Sequence, residues 1–185
     1  MDVYVFGRSK SKLEELLIEY PRIKGIFQWD LRDETLTKLY QDYLLRNNIA
    51  SIVDVIGRGY PNPIPFLSLN EMQDMIDSNL VSQFTILKSS LVPFKHKERG
   101  RMIFFNSIVS FRPNEGASGY VASKMGLRGL LESARYELRM GFKEISLHGL
   151  YMQNVARIQM KTAIDSVFYL LNLPYGTQAD IIVDG

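Results

Sequence analysis

Tyr120 and Lys124 are four residues apart inside a segment, Ala117 to Met140, with helical apolar spacing. Both side chains therefore project from one face, about one turn apart. A phenol loses its proton only near pH ~10, too high for ready exchange at neutrality. A neighbouring ammonium favours the phenolate and lowers that value, which makes Tyr120 a usable acid and base. Ser107 stands 13 residues before Tyr120, just after the apolar run Met102 to Phe105. Its hydroxyl is a donor able to polarise a carbonyl oxygen. A second pair of the same spacing, Tyr20 and Lys24, is interrupted by Pro21 and cannot share a helical face.

Short strand-like runs must alternate with helices to carry these side chains to one place. Val3 to Phe6 is a predicted strand closed by Gly7-Arg8-Ser9. Leu13, Leu16, Leu17 and Tyr20 then form one helical face that Pro21 stops. Ile23 to Gln28 is a second strand, and Asp33 a predicted N-cap for a helix carrying Leu36, Leu39, Tyr40, Tyr43 and Leu44. Ala50 to Ile56 reads as a third strand buried on both faces. A Gly- and Pro-rich loop, Gly57 to Leu67, follows. Ser68 and Glu71 then have the spacing of a capping box that opens a long helical region toward Val92. Met102 to Phe105, Glu144 to His148 and Ala179 to Val183 are further strands, with helices over Ala117 to Met140 and Thr162 to Leu171. This alternation predicts an α/β fold, a parallel sheet of about six strands covered by helices on both faces, as a single domain over residues 1–185. Ligands of such folds sit beyond the carboxyl ends of the strands.

Composition narrows the function classes. The 185 residues are 46% hydrophobic and 23% charged, with 13 Gly and 7 Pro, which excludes a disordered or fibrous chain. Twenty-two basic against 20 acidic residues leave +2, so no nucleic-acid partner is expected. The absence of cysteine excludes disulfides, thiolate metal sites and a thiol nucleophile. His96 and His148 have no carboxylate or second His at ligand spacing, so no metal is expected. The longest run without Asp, Glu, Lys or Arg, Ser166 to Ala179, is too short to cross a bilayer. The start MDVYVFGRSK lacks a basic stretch followed by an apolar one. No membrane association and a cytoplasmic location are the expectations. Trp29 is read as packing, although it could also wall a pocket.

The stretch RMIFFNSIVSFRPNEGASGYVASKMGLRGLLESARYEL resembles the short-chain dehydrogenase/reductase family, whose pattern is Ser, a dozen residues, then Tyr-x-x-x-Lys opening a long helix. DSNLVSQFTILKSSLVPF resembles the preceding family helix, and Asn79 matches the Asn that completes the tetrad. The resemblance implies a Rossmann-like, doubly wound sheet and NAD(P)(H)-dependent reduction of a carbonyl, or oxidation of an alcohol, on a small molecule. In that reading Ser107 orients and polarises the carbonyl, and Tyr120 delivers the proton. Lys124 lowers the tyrosine pKa and contacts the cofactor ribose, while Asn79 holds a water of the proton relay. Helix geometry and pKa logic support only the Tyr–Lys part by themselves.

Gly7-Arg8-Ser9 looks like the end of the family's second strand. Arg8, with no acidic residue at position 7, resembles the form that prefers NADP(H) to NAD(H), since Arg pairs with a 2′-phosphate. Arg8 is otherwise a solvated loop arginine. Asp30-Leu31 resembles the family's Asp that meets the adenine ring; the other reading of Asp30 is a cap for the next turn. The family also implies a homodimer or homotetramer through the long helices beginning near Asn79 and Tyr120, with Leu127, Leu130, Leu131 and Leu138 as apolar faces.

Departures from the family accompany these matches. No G-x-G-x-x-G occurs, Gly57-Arg58-Gly59 is a fragment of one, and Pro61 with Pro63 forbids a helix directly after it. The family's first strand and its Gly-rich loop are therefore expected to be missing. That strand lies mid-sheet, so the strand of Val3 must pair with that of Ile52 or the sheet must split. The family's Asn-Asn-Ala-Gly reads Asp54-Val55-Ile56-Gly57, which leaves Gly57 as a cofactor-binding candidate. The Pro-Gly after the sixth family strand reads Leu150-Tyr151, and the substrate-covering loop, His148 to Lys161, is short. Two other readings stand beside the oxidoreductase. One is a non-catalytic dehydrogenase-like dimer partner or regulator, the other an incomplete product of a longer dehydrogenase.

Overall fold

The structure is a computed structural model that describes residues 2–31, 33, 35–153 and 157–183. The chain forms two compact units, Met1–Ile49 and Ala50–Gly185.

In the first unit, β1 (Val3–Gly7) leads through α1 (Lys10–Glu19) to β2 (Ile23–Gln28) and then α2 (Thr35–Arg46). β1 and β2 pair in parallel, with Val5 opposite Ile26 and Phe6 opposite Phe27. Asp33 Oδ1 accepts the Thr35 N–H at 2.9 Å, the cap expected for α2. Phe6, Phe27, Tyr40 and Tyr43 meet at centroid distances of 5.0–6.1 Å, and Trp29 stacks on Tyr40 at 4.0 Å. Trp29 is therefore core packing. Tyr20 ends α1 and Lys24 lies in β2, the separation that Pro21 imposes.

The second unit runs β3 (Ser51–Asp54), α3 (Leu69–Ile76), a π-helical turn (Asp77–Val81), α4 (Ser82–His96), β4 (Gly100–Ser107), α5 (Ser118–Gly141), β5 (Ile145–Met152), α6 (Arg157–Asn172) and β6 (Asp180–Val183). Its strands are all parallel in the order β3-β4-β5-β6. β5 is buried at every position, including the polar Ser146 and His148, as a central parallel strand covered on both faces is. Ile103, Leu150 and Met152 pack with Ala163 and Leu170 of α6. The capping box forms as predicted: Ser68 Oγ accepts the Glu71 N–H and Glu71 accepts the Ser68 N–H.

The strand of Val3 pairs with that of Ile23, and the six strands among the described residues form two sheets, the split that was one of the two arrangements expected without the family's first strand. Other expectations change. β3 stops at Asp54, and Val53 is 39% exposed, because β3 is the edge of its sheet. The strand predicted to end at His148 continues to Met152, held by an eight-residue ladder with β4. Leu150 and Tyr151 lie inside that strand. Residues 154–156 of the expected substrate-covering loop are outside the described residues. Of the leucines expected to face a partner, Leu127, Leu131 and Leu138 are buried in the core of their own unit and Leu130 is half-buried.

Candidate active site

The carboxyl ends of β3 and β4 and the first turns of α5 bring Asn79, Ser107, Tyr120 and Lys124 together within the second unit. Ser107 is the last residue of β4, and α5 starts at Ser118, so Tyr120 falls in its first turn and Lys124 in the next. Asn79 comes from the π-helical turn between α3 and α4 and is fully buried.

Asn79 is a clamp. Its Oδ1 accepts the Arg58 N–H at 2.7 Å, and its Nδ2 donates to the Arg58 carbonyl at 2.7 Å and to Ser123 Oγ at 2.9 Å. Ser123 donates in turn to the Tyr120 carbonyl at 2.8 Å. The amide's two donors and its acceptor are thus spent on fixing the loop after β3 to the helix that carries Tyr120 and Lys124. Further straps hold the same loop. Gln83 donates to the Ile56 carbonyl at 3.0 Å, and Arg58 and Tyr60 both bind Asp74 Oδ2, at 2.7 and 2.6 Å. A Cβ on Gly57 would stand 3.4 Å from Lys124 Nζ, and one on Gly59 would stand 3.3 Å from the Tyr120 ring. Glycine at both positions keeps the loop thin beside the two reactive side chains.

Ser107 Oγ accepts the Val109 N–H at 3.4 Å, while its backbone N–H donates to Asn106 Oδ1 at 2.7 Å. Asn106 Nδ2 reaches the Lys124 carbonyl at 3.2 Å, tying β4 to α5. Lys124 is buried; its Nζ donates to the Phe105 carbonyl at 3.2 Å and lies 5.9 Å from the Tyr120 ring centroid. Burial pushes the Lys124 ammonium down to about 8, against the opposing pull of the Asp54 carboxylate.

Burial also pushes the Tyr120 phenol above its ordinary value, and a hydrogen bond with Ser107 only partly offsets this. The direction is opposite to the one the Tyr–Lys spacing implies. Desolvation of the phenolate wins. Tyr120 therefore holds its proton at neutral pH.

Arg8 follows β1 and is exposed; its carbonyl accepts from Gln28 Nε2 at 3.1 Å. The Asp30 carbonyl accepts the Asp33 N–H at 2.9 Å, and Leu31 comes next. These three residues belong to the first unit. Two residues of the second unit were not among the expected site residues. Asp54 carried a signal in the sequence, an acid where the resembled family has Asn, whereas Ser123 carried none.

The sequence profile described as short chain dehydrogenase matches residues 1–164. The 3-oxoacyl-[acyl-carrier-protein] reductase FabG of Buchnera aphidicola subsp. Acyrthosiphon pisum is 29% identical over 106 residues, which are 57% of this chain and 43% of that protein. The chain spans about half the length of the curated relatives it matches. Among solved structures, serine dehydrogenase from Escherichia coli superposes with a TM-score of 0.87 at 20% identity, over 98% of this chain and 85% of that one. An alcohol dehydrogenase from the archaeon Thermococcus sibiricus, solved with 5-hydroxy-NADP, gives 0.81 at 20% identity, over 97% and 84%. At that identity the superpositions establish the Rossmann-like α/β fold.

Proposed function

Because the chain belongs to the short-chain dehydrogenase family, we propose that it is an oxidoreductase that uses Ser107, Tyr120 and Lys124 to reduce a small-molecule carbonyl, or to oxidise the corresponding alcohol. The observation that carries this reading is the placement of Ser107 at the carboxyl end of β4 and of Tyr120 on the first turn of α5, one helical turn from buried Lys124, whose Nζ lies 5.9 Å from the Tyr120 ring centroid. When bound, a reduced nicotinamide supplies the hydride. The donors present suit its ribose end. Lys124 Nζ has one partner, Phe105, among the described residues and so keeps donors for hydroxyls, and Gly57 leaves the backbone thin beside it.

Ser107 donates to the carbonyl oxygen, and Tyr120, protonated at neutral pH, gives that oxygen its proton. Asn79 acts as the clamp that holds the Arg58 loop against α5. In the first unit, Arg8 presents an exposed guanidinium suited to a 2′-phosphate, which favours NADP(H) over NAD(H), and Asp30 with Leu31 is the adenine candidate. The solved alcohol dehydrogenase with a bound NADP derivative supports that preference.

Apolar residues left exposed on the π-helical turn, α4 and α5, namely Val81, Phe84, Val92, Met125, Tyr136 and Met140, support association with a second copy. They would also serve the non-catalytic reading, so the test must separate the two. Saturating NADPH should raise the thermal midpoint of the chain. Tyr120→Phe should keep that rise and the oligomeric state while losing at least about 100-fold in turnover. No rise with NADPH, or turnover unchanged in the Phe variant, defeats the proposal.

A further inference from the structure

Asp54 ends β3 in the same corner, is 4% exposed, and has no role in the tetrad. Its Oδ1 accepts the Ile56 N–H at 3.0 Å, which fixes the carboxyl as the chain leaves the strand. Its Oδ2 is buried with no hydrogen-bond partner. A buried carboxyl oxygen without a partner is costly, the more so when it is charged. Across the ladder Asp54 pairs with Phe104, and the carbonyl of the next residue, Phe105, is the one that holds Lys124 Nζ. An unsatisfied acid and an ammonium with donors to spare therefore sit at the same end of two adjacent strands.

The other groups around Lys124 do not compete for it. On its own helix the neighbour is the Tyr120 phenol, and the π-helical turn contributes the neutral Asn79 amide. β4 contributes the Phe105 carbonyl. The loop after β3 contributes Gly57, and its Arg58 guanidinium is bound to Asp74 at 2.7 Å.

We propose that Asp54 is a positioning residue for Lys124: as a carboxylate it draws the ammonium toward β3, and once protonated it leaves the ammonium to Tyr120 and to the ribose hydroxyls of a nicotinamide cofactor. The second half of this rests on the oxidoreductase reading; the coupling of the two groups does not. Burial pushes Asp54 up to about 7 and Lys124 down to about 8, each moderated by the other's charge. The two therefore titrate as a pair across the neutral range. Below it the pair is a neutral acid beside an ammonium. Within it, the acid ionises and engages the lysine.

The test compares the chain with Asp54→Asn, which keeps an oxygen for the Ile56 N–H and cannot ionise. Asp54→Ser, with a shorter acceptor, replaces it if the Asn variant does not fold. With 13C-labelled lysine, the Lys124 Cε signal is followed by NMR against pH. The wild-type curve should show an inflection near pH ~7 from its neighbour, and the variant should lose it. The Lys124 midpoint should also fall by about one pH unit, because an attracting charge has gone. Unchanged Lys124 titration overturns the pairing.

NADPH affinity is measured over the same range. It should weaken in two steps in the wild type, as Asp54 ionises and then as Lys124 loses its proton, and in the variant in one step that follows the Lys124 titration alone. Parallel affinity curves overturn the cofactor half of the proposal. An absence of NADPH binding in both proteins instead defeats the oxidoreductase reading and leaves the NMR result to decide the pairing.

Discussion

His148 offers a direct measure of how strongly the second unit excludes charge. It lies in the middle of β5, fully buried, with Nδ1 at 3.0 Å from the Ala179 carbonyl and 3.3 Å from the Ala179 N–H. Its Nε2 is buried without a partner. Burial, more than any other cause, pushes its pKa down to about 4, with Arg101 and Arg135 adding to the effect. An unfolded histidine takes up its proton near pH ~6.5. Between these two values the unfolded chain binds the extra proton and the folded chain does not, so stability falls as the pH falls.

From about pH 7 to about pH 5 the loss assigned to this one group is about 2 kcal/mol, the difference in proton binding between the two states. The assay is urea unfolding at both pH values for the wild type and for His148→Asn, whose amide can replace Nδ1. The wild type should lose about 2 kcal/mol more than the variant over that interval. Parallel losses in the two proteins would mean that His148 titrates as freely folded as unfolded, and the assignment of a dry sheet interior here would be wrong.

Four further outcomes are expected. Gly100→Ala places a Cβ 2.2 Å from the ring of buried Phe94, and thermal or urea unfolding should show a loss of about 3 kcal/mol or a failure to fold. Asn79→Leu strands the N–H and the carbonyl of Arg58 and takes from Ser123 Oγ the bond it accepts. It should cost about 2 kcal/mol and raise amide exchange at Arg58 and Gly59 more than at β5. Tyr120→Phe should retain fold and cofactor response while losing turnover, as steady-state kinetics would show. Asp54→Asn should remove the neutral-range inflection from the Lys124 titration without lowering helix content by circular dichroism.

Much of the fold is local in origin and could be read along the chain. The capping box at Ser68 and Glu71, the Asp33 cap and the long helix over Tyr120 and Lys124 depend on residues a few positions apart, where backbone geometry leaves few choices. The gathering of Asn79, Ser107, Tyr120 and Lys124 was legible through their spacing within a known family pattern. Strand limits were less legible, because β3 stops and β5 continues according to what lies beside each of them in the sheet.

Periodicity assigned Leu127, Leu131 and Leu138 to one face, but only packing decided that the face is spent on the core of its own unit. Spacing likewise placed an ammonium one turn from a phenol and implied a lowered tyrosine pKa. Burial of that phenol reverses the direction. Hydrogen bonds and desolvation act over a few ångströms, between residues such as Asp54 and Lys124 that are 70 positions apart in the chain. Sequence determined which chemical groups are available and which helix face they share. The tertiary structure decided which of them hold their charge, because that depends on what surrounds them and on how little water remains.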